Sequence, residues 1–148
     1  MIPDQIEREI VINAPVDRVW AAITEPQHLG TWFGDSGAEV DLRPGGTLTI
    51  TWKEYGTART TIERVEPKSF FSWRWTPGGI ADSTPDNTTL VEFSLVPEGT
   101  GTRLKVVESG FRNLKVTDEE RAQAFKDNTQ GWQSEIDELR GYAERLAA

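Results

Sequence analysis

His28 is the only histidine in the chain, and there is no cysteine. Zinc, haem and copper sites of the ordinary kinds therefore lack a donor set, and no thiolate is available as a nucleophile. A Ser-His-Asp arrangement would have to run through His28. That residue stands near Pro26 in an expected loop or short helix, where a solvent-facing side chain is the simpler reading. Gly34-Asp35-Ser36-Gly37 has the wrong residue order for a nucleophile elbow. No phosphate-cradling glycine motif is present, and Asp82 to Asn87 does not match the spacing of a calcium-binding loop. No metal or cofactor is expected.

The aromatic residues offer more. Six tryptophans stand in 148 residues, with Trp73 and Trp75 alternating on one expected strand and Trp132 in a long C-terminal helix. Trp52, Phe71, Trp73, Trp75 and Phe93 share strand parities that would face such a helix, and Phe125 and Trp132 would face back. Large aromatics opposed in this way suit the lining of an apolar ligand site, although the same rings can simply fill a core. Trp32-Phe33 precedes Gly34 in an expected loop. It can form a rim or lid to the site, or anchor the loop on the sheet.

Few polar residues join them. Glu108 follows Leu104 and Val106 in step, so strand alternation aims it at the helix, and Arg64 follows Ile62 likewise. A carboxylate in an apolar pocket must be protonated, paired or ligand-bound, because unpaired burial is costly. The alternative is a strand-end residue that reaches water or pairs with Arg64 or Arg112. Asn128 and Gln130 on the helix could orient a ligand, or be solvated or bonded to backbone.

The elements that must position these residues follow from periodicity. Ile6, Ile10 and Ile12 share one parity and Glu7 and Glu9 the other, which is a strand with one buried face. Asn13-Ala14-Pro15 opens a helix with proline in its first turn. Val16, Val19, Trp20 and Ile23 give that helix an apolar stripe, and Glu25-Pro26 ends it. Pro26 to Leu29 adds a short turn of helix.

From Ala38 to Glu108 strand and turn repeat. Leu48, Ile50 and Trp52 alternate with threonines after the Pro44-Gly45-Gly46 turn, followed by Arg59 to Val65 and Phe70 to Trp75. The stretch Thr76 to Asn87 is a loop. Val91, Phe93 and Leu95 alternate, Glu98 to Gly101 turns, and Leu104 and Val106 alternate again. Hairpin connections imply an antiparallel sheet. Asp118 to Leu146 is helical, with Thr117 and Glu120 as a capping box. At ~1.5 Å per residue it is roughly 40 Å long, enough to cross a curved sheet. Gly131 lies mid-helix and is explained by close packing on a strand or by a bend beside a cavity.

Length and composition bound the rest. A chain of 148 residues forms a single domain, residues 1–148, with a proper core. Without cysteine it suits a reducing cytoplasm. The N-terminus lacks signal-peptide character, and no apolar run approaches the ~20 residues of a membrane span. Sixteen basic against 24 acidic residues leave a net charge of −8, which argues against nucleic acid and anionic membranes as partners.

The ordered motifs Asn13 to Thr24 (NAPVDRVWAAIT), Trp32-Phe33-Gly34, Arg43-Pro44-Gly45-Gly46, Glu108-Ser109-Gly110-Phe111 and Gly131-Trp132 resemble the START-like, or SRPBCC, superfamily. Within it, the chain is similar to the AHSA-type branch, homologous to the C-terminal domain of the heat-shock protein 90 ATPase activator. The resemblance spans essentially the whole chain. It implies an α+β helix-grip fold, in which a curved antiparallel sheet wraps around the long C-terminal helix with a cavity between them. The superfamily includes lipid and polyketide binders, cyclases and co-chaperone domains, so fold does not fix activity.

The leading expectation is a module that encloses a small apolar or aromatic, lipid- or polyketide-like molecule. Its lining would be Trp32, Phe33, Trp52, Phe71, Trp73, Trp75, Phe93, Glu108, Phe125, Asn128 and Trp132. The second is a protein-interaction domain acting on a chaperone. The third is a cyclase- or hydrolase-like enzyme using Glu108 with an arginine or with Tyr55 or Tyr142, the only tyrosines.

Overall fold

A computed structural model describes residues 2–81 and 83–147. The element order is β1 (Gln5–Ile12), α1 (Val16–Thr24), α2 (Pro26–Trp32), β2 (Ala38–Val40), β3 (Thr47–Trp52), β4 (Gly56–Glu66), β5 (Phe70–Trp75), β6 (Thr89–Glu98) and β7 (Gly101–Ser109). A 3-10 turn (Phe111–Asn113) and α3 (Asp118–Ala147) complete it. The seven strands form one sheet in the order β1-β7-β6-β5-β4-β3-β2, every neighbouring pair antiparallel. This is the α+β helix-grip architecture: six strands meander and β1 joins beside β7. Asp82 of the Thr76 to Asn87 connection lies outside the described residues.

Alternation explains the sheet's two faces. Leu48, Ile50, Phe71, Trp73, Val91, Phe93, Leu104 and Val106 are buried on the side that receives the helices. Thr47, Thr49, Thr51, Thr57 and Arg59 line a groove on the opposite face. From the helices come Val19, Ile23, Leu29, Trp132, Ile136, Leu139 and Ala143, all buried in the same core.

The α3 start is built as its residues dictate. The Thr117 hydroxyl accepts from the Glu120 amide at 3.1 Å, and the Glu120 carboxylate accepts from the Thr117 amide at 3.2 Å. Both satisfy donors that the first helical turn leaves open. Near its other end, Glu144 accepts from the Asn13 amide at 2.8 Å and ties α3 to the end of β1.

Two expectations are corrected. Arg64 does not follow Ile62 onto the inner face. The β4–β5 register shifts between these residues, and such a bulge inserts an extra residue and reverses the parity beyond it. Arg64 is exposed, pairs with Glu66 and lies over the Phe70 ring at 4.4 Å. Gly131 is not close-packed on a strand: it is exposed, and an added Cβ would meet nothing within 4 Å.

Candidate functional site

Glu108 occupies the centre of the inner face. It is fully buried, and among the described residues its carboxyl oxygens accept hydrogen bonds from uncharged donors alone. Trp75 Nε1 donates to Oε2 at 2.8 Å and Thr89 Oγ1 to the same oxygen at 2.6 Å. Trp132 Nε1 donates to Oε1 at 2.8 Å. Asn128 Nδ2 donates to both oxygens, at 2.9 and 3.1 Å. Indole N–H and amide NH2 groups can only donate, so Trp75, Asn128 and Trp132 offer the Glu108 side chain donors and nothing else.

The donors converge because the fold brings four elements together. Trp75, Thr89 and Glu108 lie on adjacent strands β5, β6 and β7, with Trp75 opposite Thr89 and Val91 opposite Glu108. Asn128 and Trp132 are four residues apart on α3 and share one helical face. Strand parity aimed Glu108 inward as its sequence pattern requires. The alternative pairings with arginine are not formed. Arg112 instead donates to the Ile2 carbonyl at 2.9 Å, and Arg64 is on the outer face. Asn128 is bonded to Glu108 rather than to solvent or backbone, whereas Gln130 is exposed.

Aromatic rings surround this carboxylate, and Phe33 is their hub. Its ring stacks on Trp132 with centroids 5.7 Å apart and 11° between planes, and on Trp75 at 6.0 Å and 24°. It also meets Trp52 at 5.4 Å and Trp73 at 6.1 Å. Phe93 touches Trp73 at 5.2 Å and Trp132 at 5.9 Å, and Phe71 meets both Trp73 and Phe93. These rings occupy the space between sheet and α3. Trp73 is fully buried, yet its Nε1–H has no hydrogen-bond partner among the described residues.

Trp32-Phe33 therefore anchors its segment onto the sheet. Trp32 ends α2 and donates to the Ala22 carbonyl at 2.6 Å, while the Phe33 carbonyl accepts from Trp52 Nε1 at 2.8 Å. Gly34 follows because a Cβ there would come within 2.6 Å of the Ile50 side chain and 2.8 Å of the Thr51 carbonyl. Phe125 stands apart from the tryptophans, edge-on to the buried Phe111 at 5.3 Å. It packs one turn away because Asn128 and Trp132 take the face toward Glu108.

Thr89 is the member that sequence reasoning missed. It shares the inward parity of Val91, Phe93 and Leu95, so extending that alternation back by two residues would have found it. His28 is also not a solvent-facing loop residue. It sits in α2, half-buried, with Nδ1 2.6 Å from the Tyr142 hydroxyl. Tyr55 is 84% exposed, so neither tyrosine is placed to work with Glu108.

A curved antiparallel sheet closed over a long C-terminal helix, with a buried polar centre beneath it, defines a START-like, SRPBCC-type domain. The chain belongs to the family described as Activator of Hsp90 ATPase homolog 1-like protein, whose match runs over residues 13–144. Solved structures agree on the fold. Protein MLL2253 from Mesorhizobium loti is 23% identical with a TM-score of 0.79, covering 97% of this chain and 99% of that one. DynU16, from the dynemicin biosynthetic locus, is 23% identical with a TM-score of 0.74. The match covers 99% of this chain but only 49% of DynU16. The Aha1 dimer from Colwellia psychrerythraea is 18% identical with a TM-score of 0.74, covering 97% of both chains. No curated protein matches the sequence. Among the described residues, no helix is long and apolar enough to cross a membrane.

Proposed function

We propose that the protein binds a small apolar or aromatic molecule between the sheet and α3. The carrying observation is the buried Glu108 carboxylate, held by four uncharged donors beside the connected rings of Phe33, Trp52, Phe71, Trp73, Trp75, Phe93 and Trp132. A core that served packing alone would be less costly with an apolar residue at the end of β7. Strained or costly polar arrangements of this kind concentrate at functional sites. The unused Trp73 N–H adds a donor for a ligand acceptor, since buried polar groups are ordinarily paired. Trp75, Trp52 and Asn128 are half-buried and form the approach. A ligand would take the place of the Phe33 ring, and Trp32, Trp52, Trp73, Trp75 and Trp132, the rings that now touch Phe33, would line its seat.

Native mass spectrometry of protein purified from its own host tests this directly, because a bound small molecule adds its mass to the chain. A panel of apolar and aromatic compounds, read by tryptophan fluorescence and thermal melting, is the companion experiment. A ligand at 100 times its Kd stabilises by ~2.7 kcal/mol. Trp75→Ala should weaken the fluorescence response. A bare mass together with unchanged fluorescence and melting across the panel would overturn the reading.

The family match favours a second reading, in which the domain acts on a chaperone. Adding the protein to the heat-shock protein 90 of the same source should then raise its ATPase rate. An unchanged rate removes that reading.

A further inference from the structure

Resting on the ligand-binding reading, we infer that the site selects an organic cation with an apolar body. Three features of the site point the same way. The first is charge. Glu108 is fully buried, and none of the Lys, Arg or His side chains among the described residues forms an ion pair with it. All its donors are neutral, so the carboxylate's charge is spread over dipoles but not cancelled.

The second feature is the orientation of the rings. Trp75 and Trp132 turn their N–H edges to the carboxylate, and their faces are stacked on Phe33. Indole faces carry the negative part of the ring quadrupole. A cation seated where the Phe33 ring now lies would meet two indole faces with a carboxylate behind them. Cation–π attraction is strongest at tryptophan and in desolvated sites. A neutral molecule of the same shape gains nothing from the carboxylate, and an anion is repelled by it.

The third is approach. Trp75 and Asn128 are half-buried, and Gly131, beside Trp132, is exposed with open space where a side chain would stand. The net charge of −8 draws cations toward the molecule. A quaternary ammonium group suits the site best, because it needs no hydrogen-bond acceptor and leaves the bonds to Glu108 in place.

The test uses the matched pair benzyltrimethylammonium and neopentylbenzene, which differ by nitrogen against carbon at one atom, with phenylacetate as the anion. Binding is read by tryptophan fluorescence and calorimetry on the whole chain. The cation is expected to bind at least about tenfold more tightly than its carbon isostere, and phenylacetate not at all. The preference should persist at ~1 M salt, where surface attraction is screened over about 3 Å. Glu108→Gln should bring the two affinities together. Should that variant not fold, the ratio in the unaltered protein at high salt decides the matter. Equal affinities, or a preference that vanishes in salt, overturn the inference while leaving a ligand-binding protein. Binding of none of the three overturns the inference and counts against the ligand-binding reading as well.

Discussion

Trp132 of α3 donates its indole N–H to Glu108 of β7 at 2.8 Å, and both residues are buried. With Asn128 one turn earlier, this bond pins the helix to the sheet at its centre. Glu108→Leu would leave the donors of Trp75, Thr89, Asn128 and Trp132 without that acceptor. Orphaned buried donors carry their full desolvation penalty, so the loss should be on the order of 3–5 kcal/mol. For a domain of this size that is a Tm lower by roughly 10 °C. A variant that melts with the native protein would show that the cage contributes no stability.

Phe33→Ala removes a ring in contact with Trp32, Trp52, Trp73, Trp75 and Trp132. Truncation of a buried phenylalanine costs about 3–5 kcal/mol. The space left is apolar and open to a small arene. Benzene or toluene should therefore raise the Tm of the variant more than that of the native protein. Equal shifts in the two would show that the Phe33 position does not receive ligands.

Gly131→Ala should stabilise the protein. The position is exposed, mid-helix and free of neighbours within 4 Å of an added Cβ. Alanine is favoured over glycine there by roughly 0.5–1 kcal/mol, which denaturant melts resolve as a higher midpoint at unchanged slope. A lower midpoint would mean that the glycine relieves a strain in α3.

Stability should also depend on Glu135. Burial, and secondly the charge of Glu138, push its carboxyl up to about 7. One of its oxygens is buried without a hydrogen-bond partner. In the unfolded chain a glutamate titrates near ~4.3. Between these values the folded state holds a proton that the unfolded state has released, so this contribution falls as pH rises and is flat above the folded value. Glu135→Gln should remove that decline, and its Tm advantage over the native protein should grow from pH ~4.5 to pH ~7. Parallel Tm curves would show that Glu135 titrates normally.

Much of this was legible in the chain. The inner rings of β3, β5 and β6 and the inward aim of Glu108 follow from alternation, because a strand's side chains change face at every residue. The α3 start was written in Thr117 and Glu120, since a capping box is a local device. Arg64 shows where such reading stops. One inserted residue at a bulge reverses parity, and the bulge is set by how β4 pairs with β5.

The sequence by itself determined which residues could be buried, the order of strands and helices, and the absence of cysteine and of any second histidine. Those are properties of composition and of short-range periodicity. Only the tertiary structure decided what Glu108 meets. Its donors come from β5, β6 and α3, separated from it along the chain by 33, 19, 20 and 24 residues for Trp75, Thr89, Asn128 and Trp132. Nothing local distinguishes that carboxylate from one reaching water or an arginine. The choice was made when sheet curvature and α3 packing brought four uncharged donors and, among the described residues, no cationic side chain within hydrogen-bond distance of its two oxygens.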